Sequence, residues 1–150
     1  MGQSLSQLYV HLVFSTKDRA PLLYPEFAAR THEYLAGIFD EIDSHAWKIG
    51  GSVDHVHSLF SLSKNLALCK AVERVKTGSS KWLKTLDPRL RGFHWQAGYG
   101  AFSVSQSEAP RVITYIEQQA EHHRRRTFQE EYRKFLEKYH VPYDERYVWD

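Results

Sequence analysis

Gly50-Gly51-Ser52-Val53-Asp54-His55-Val56-His57-Ser58-Leu59-Phe60 is the stretch whose reading decides the fold. An apolar run opened by a glycine pair reads as a strand entered through a bend or bulge. Residues two apart on a strand share a face, so His55 and His57 stand side by side while Val56 turns into the opposite layer. Such a strand needs a core behind Val56 and a use for the imidazoles in front. Residues 46–51 make the other arm of the hairpin, and the strand itself extends over 54–63. Further upstream, residues 4–15 alternate, with Tyr9, His11 and Val13 on one face and Val10, Leu12 and Phe14 on the other.

Helical spacing fills the gaps. Residues 25–42 begin with Pro25, which suits a first turn, and place Phe27, Tyr34, Leu35, Ile38 and Ile42 on one stripe. Residues 66–86 form a second, basic helix with Leu68, Val72, Val75 and Leu83 inward and Gly78 as a weak point. Asp87-Pro88 ends it, and residues 97–105 read as a fourth strand. Ser107 is the expected N-cap of a third helix carrying Val112, Ile113, Tyr115, Ile116 and Gln119, which frays in His122-His123-Arg124-Arg125-Arg126. Thr127 and Glu130 make a capping box for a last helix with Phe128, Tyr132, Phe135, Leu136 and Tyr139 apolar. The order strand, helix, strand, strand, helix, strand predicts an α+β chain, a ferredoxin-like αβ sandwich (βαββαβ) on an antiparallel sheet, with an additional C-terminal helix. The first strand and the histidine strand are then central, and the helices cover one sheet face and leave the other open. Residues 1–150 are expected to form one domain.

The chain is 42% hydrophobic and 14% aromatic, enough for a packed core, and no segment is long and apolar enough for a membrane span. Polar residues follow Met1, so no secretory signal is expected, and the single cysteine, Cys69, excludes an intramolecular disulfide. The expected location is cytoplasmic, with Cys69 a small buried apolar residue. The net charge of +2 hides an uneven distribution: Lys64 to Arg91 holds eight basic residues against Glu73 and Asp87, a balance of +6. A local basic block in a near-neutral chain points to a polyanion, and Lys70, Arg74, Lys76, Lys81, Lys84 and Arg124 are the candidate DNA contacts.

With nine histidines in the chain, about half an H-x-H pair arises by chance, so His55 and His57 gain meaning only from their context. Tyr115 and Gln119, four apart on a helix, present a phenol next to a carboxamide. The glycine-to-Phe60 stretch, Trp95 to Ser105, and Tyr115-Ile116-Glu117-Gln118-Gln119 follow in order behind the Tyr9-Val10-His11-Leu12-Val13-Phe14 strand. Together they resemble the single-tyrosine transposases of the IS200/IS605 family, which are HUH nucleases.

The resemblance implies that Tyr115 is the nucleophile forming a 5′-phosphotyrosine with single-stranded DNA, and that His55, His57 and Gln119 hold Mg2+ or Mn2+. It implies hairpin-bearing insertion-sequence ends as substrate, and a homodimer in which the tyrosine helix of one subunit can complete the histidine pair of the other. A ligand set of this kind is neutral, so weak metal binding without DNA is expected. Gln118 competes with Gln119 as ligand, and Glu117 is an off-face third candidate. Asp54 is expected to point to the other face, with a hairpin-turn role and a role supporting the histidine pair left equally open, and His11 and His94 to be structural or DNA-contacting. Other two-histidine enzymes fit less well: a histidine-triad hydrolase needs a third alternating histidine where Leu59 stands, and a two-histidine phosphoesterase needs two separated His-x-Ser/Thr motifs. A domesticated, non-catalytic binder of structured single-stranded DNA or RNA is the alternative from another class.

Overall fold

The computed structural model describes residues 2–119 and 126–150, so Arg124 lies outside the described residues. Four strands, β1 (Tyr9–Ser15), β2 (Ala46–Gly51), β3 (His55–Ser61) and β4 (Gly100–Val104), form one antiparallel sheet in the order β2-β3-β1-β4. β1 and β3 are therefore central, as expected, and nearly every residue of both is buried. Their register sets Val13 opposite His57 and His11 opposite Leu59, while β4 places Phe102 opposite His11.

Alternation divides the sheet into two chemistries. Val10, Leu12, Phe14, Val56 and Phe60 face α1 (Ala28–Glu41) and α2 (Leu68–Leu86) in a core shared with Leu35, Ile38, Phe39, Val72, Val75 and Leu83. Each such fully buried side chain contributes about 1.5–3 kcal/mol. Gly78 sits inside α2 without breaking it, because a Cβ there would come within 2.9 Å of Ile38 Cδ1. The glycine is what lets α1 and α2 close together. Cys69, expected inside, is exposed; the inward stripe of α2 is Ala71, Val72, Val75, Ser79 and Leu83, and position 69 falls off it.

The opposite face is not open. α3 (Ala109–Glu117) and α4 (Phe128–Lys138) lie over it, burying Ile116 from the first and Phe128, Tyr132 and Leu136 from the second against Val13, Leu59, Phe102 and Val104. The sheet offers an apolar surface there, and the stripe of α4 is the surface that removes it from water. Helix starts also differ in detail from expectation. Pro25 opens a 3-10 turn before α1, and Ser105, rather than Ser107, accepts from the Glu108 and Ala109 N–H groups ahead of α3. The Thr127 cap of α4 is present, its hydroxyl accepting from Glu130 N–H at 3.2 Å.

α3 is held close to β2. A Cβ on Gly50 would stand 2.5 Å from the Ile116 carbonyl oxygen, and Lys48 pairs with Glu117 at 3.3 Å. That approach carries Tyr115 to the histidine strand.

Candidate active site

β3 delivers His55 and His57 to the α3–α4 face, both fully buried. Each imidazole is gripped on Nδ1. His55 Nδ1 donates to Asp54 Oδ1 at 2.7 Å, so Asp54 turns toward its neighbour rather than to the far face. His57 Nδ1 lies 2.8 Å from Nε2 of His11, which β1 presents from the adjacent position. Burial, reinforced by nearby His57, holds His11 well below the ordinary histidine range. Both Nε2 atoms then point to a common space.

Glu131 fills that space. His57 Nε2 donates to its Oε1 at 2.8 Å, and His55 Nε2 lies 3.7 Å from the same oxygen. The other oxygen, Oε2, accepts from the Tyr115 hydroxyl. Burial pushes the Glu131 carboxyl upward, but hydrogen bonding and charge from His57, with the Tyr115 bond, outweigh it and hold the group down at about 2. Tyr115 moves the other way: burial and the facing Glu131 charge raise its pKa well above the usual phenol range. The nucleophile candidate is therefore a neutral hydroxyl in this state.

Gln119, just past the end of α3, is also at the site. Its Oε1 lies 3.2 Å from His55 Nε2, and its Nε2 donates to the Tyr115 carbonyl at 3.3 Å. Phe128 stacks on the His55 ring at 4.8 Å, and the Phe135 ring stands nearly perpendicular to those of His11 and Tyr115. Beside Tyr115, an open groove runs along α3 between Pro110, Arg111, Thr114 and Gln118.

The donor set suits a divalent cation. Among the described residues, His55, His57 and Glu131 are a group whose ligand atoms all lie within 4.8 Å of one another. Ligands at right angles on bonds of about 2.1 Å stand about 3 Å apart, so small shifts seat an ion. A carboxylate also cancels part of the charge that a neutral set would leave uncompensated. Sequence spacing alone does not single out Glu131. A signal exists all the same: it lies three residues after Phe128 and one before Tyr132, a carboxylate on the apolar stripe of its helix.

The basic helix lies elsewhere. α2 packs on the opposite sheet face, so Lys70, Arg74, Lys81 and Lys84 do not line the histidine site. Lys70 pairs with Glu73 at 3.1 Å. Lys76 is committed inward: its ammonium donates to the carbonyls of Gln96 at 2.8 Å and Gly98 at 2.6 Å, and burial brings its pKa down to about 8. Lys76→Met is accordingly expected to lower unfolding free energy by about 1.5–3 kcal/mol, the range for a hydrogen bond to a charged group. Urea titration reads the loss, and an unchanged midpoint would return Lys76 to the solvent-facing cations. His94 is exposed and apart from the site.

A family model described as "Transposase IS200 like" matches residues 4–119. The ISDra2 transposase TnpA of Deinococcus radiodurans is 27% identical over 118 residues, covering 75% of this chain and 84% of that protein. A crystal structure described as a transposase from Deinococcus radiodurans R1 superposes with a TM-score of 0.60 at 24% identity, over 79% of this chain and 96% of its own. The REP-associated tyrosine transposase bound to a REP hairpin superposes with a TM-score of 0.59 at 10% identity, over 82% and 74%. These last two show a shared fold. No described helix is long and apolar enough to cross a membrane. With a family match spanning most of its length and a histidine pair facing a helix-borne tyrosine, the chain belongs to the IS200-like transposases.

Proposed function

We propose that this transposase cuts and rejoins single-stranded DNA through a 5′-phosphotyrosine on Tyr115, with a divalent cation, Mg2+ or Mn2+, held by His55 and His57. The observation that carries the reading is one carboxylate, Glu131, joining the histidine pair to the tyrosine hydroxyl. Glu131 or Gln119 supplies the third ligand. A cation held there would supply Lewis acidity to the scissile phosphate. The chain's own residues do the rest: α3 aims the phenol, Asp54 holds the His55 imidazole, and Phe128 and Phe135 keep water away from the pair. A bond to tyrosine conserves the energy of the phosphodiester, so a free 3′ hydroxyl can reverse the step and join a different end. That suits transposition better than degradation.

The strand reaches Tyr115 along the α3 groove, past the exposed Arg111. Hairpin DNA is the proposed substrate, and its duplex part is placed against the cations of α2 on the far side of the sheet. Replacing Arg74, Lys81 and Lys84 together by Gln should weaken hairpin binding and flatten its log-log salt dependence by slightly under one unit for each phosphate that is no longer neutralised. A slope equal to the parent's would make α2 a solvated surface. Within a homodimer, each chain carries both histidines and tyrosine in one site, so pairing requires no exchange of helices.

The deciding test is incubation with single-stranded DNA from the flanks of the protein's own gene, with Mn2+, followed by a denaturing gel. A covalent adduct that disappears with chelator, and that duplex DNA does not form, supports the proposal. DNA bound tightly with no adduct in either metal supports a non-catalytic binder instead.

A further inference from the structure

His11 stands on β1 across from the histidine pair, 1% exposed, with its ring roughly in line with that of His57 at a centroid separation of 5.0 Å. The rings of Phe102 and Phe135, steeply inclined to it, wall it in at centroid distances of 6.4 and 5.0 Å. A bond between two imidazole nitrogens contains one hydrogen, so one ring donates and the other accepts. When His57 gives its Nε2 lone pair to a cation, its remaining hydrogen is on Nδ1, 2.8 Å from His11 Nε2. We infer that His11 is the positioning residue of His57: its Nε2 holds the His57 hydrogen on Nδ1 and so turns the Nε2 lone pair into the site.

The two histidines are then oriented by unlike means. Asp54 holds His55 with a charged oxygen exposed in part to water, and His11 holds His57 with an uncharged nitrogen inside the sheet. An uncharged acceptor fixes the tautomer without adding a second negative charge beside Glu131. In this arrangement His11 keeps its own hydrogen on Nδ1. The inference rests on the metal-binding reading above, and the experiment separates the two.

The measurement is Mn2+ affinity of the DNA-free protein, from the electron paramagnetic resonance signal of the free ion. Outer partners of metal-bound histidines typically change affinity by about 10–100-fold, so His11→Phe, which keeps a ring and removes the acceptor, should weaken Mn2+ by that factor. His11→Gln places a carboxamide oxygen near the position of Nε2 and should restore parental affinity. A role in packing alone would lower thermal stability in these variants without this split. If His57→Ala loses Mn2+ while His11→Phe binds it as the parent does, the positioning role is wrong and the metal site stands. If His57→Ala binds Mn2+ as the parent does, the metal site is wrong and His11 has nothing to position. Should His11→Phe fail to fold, the parent protein decides with saturating Mg2+: nitrogen-15 histidine spectra must show hydrogen on Nδ1 of both rings, and a hydrogen on His11 Nε2 overturns the inference.

Discussion

Tyr115→Phe is expected to bind Mn2+ and hairpin DNA and to form no covalent adduct. The variant keeps the ring, which packs near His57 at 5.6 Å and Phe135 at 5.6 Å, and loses only the hydroxyl that donates to Glu131. One hydrogen bond to a charged group disappears, so unfolding free energy should fall by about 1.5–3 kcal/mol while the fold persists. Cleavage should fall to background. Because Tyr115 reaches the histidines of its own chain, mixing Tyr115→Phe with His57→Ala gives sites that each lack one group. The mixture should stay inactive after subunit exchange. Recovered activity would mean that the tyrosine works across subunits, and an adduct mapped to Tyr9, Tyr99 or Tyr132 would displace Tyr115 altogether.

Glu131→Ala should have the second-largest effect, on stability and metal binding together. The side chain is 5% exposed and answers both the His57 nitrogen and the Tyr115 hydroxyl. Removing one partner of a buried charged pair costs about 3–5 kcal/mol, because the other is left without compensation. The pH dependence has a defined sign. A carboxyl lowered from 4.5 to about 2 contributes stability that is complete above 4.5 and lost as pH falls toward 2. Urea unfolding between those pH values should therefore show a steeper decline in the parent than in Glu131→Gln, which keeps only the smaller contributions of Asp87, Asp144 and Glu145. In calorimetric titration with Mn2+, Glu131→Ala should lose most of its affinity. If affinity survives, Gln119→Ala becomes the variant that removes the third ligand.

Much of this could be read from the chain, and the exceptions share a cause. Periodicity located the four strands and the four described α-helices, because alternation in β1 and β3 and the inward stripe of α2 each follow from burial on one side. The histidine pair and Tyr115 were legible because spacing on a single element determines which side chains share a face. Glu131 was not, since its meeting with His57 joins residues 74 apart and depends on how α4 docks. Lys76 misled for the opposite reason: a charged residue counts as surface in a composition argument, yet its ammonium sits over the Phe14 ring and closes carbonyls of the segment before β4. Asp54 followed the alternation rule of a strand that begins only at His55, so the rule did not apply to it.

β3 also ties the identity of the site to the integrity of the core. Val56 belongs to the α1–α2 layer, and its immediate neighbours belong to the face under α3 and α4. A one-residue slip of the strand would transpose the layers, sending both imidazoles into hydrocarbon and a valine toward Glu131 and Tyr115. No half-damaged intermediate exists on that route, since the same slip that disarms the enzyme also unfolds it. An inserted residue is consequently expected to be tolerated only outside the β1–β3 ladder, where it shifts no face.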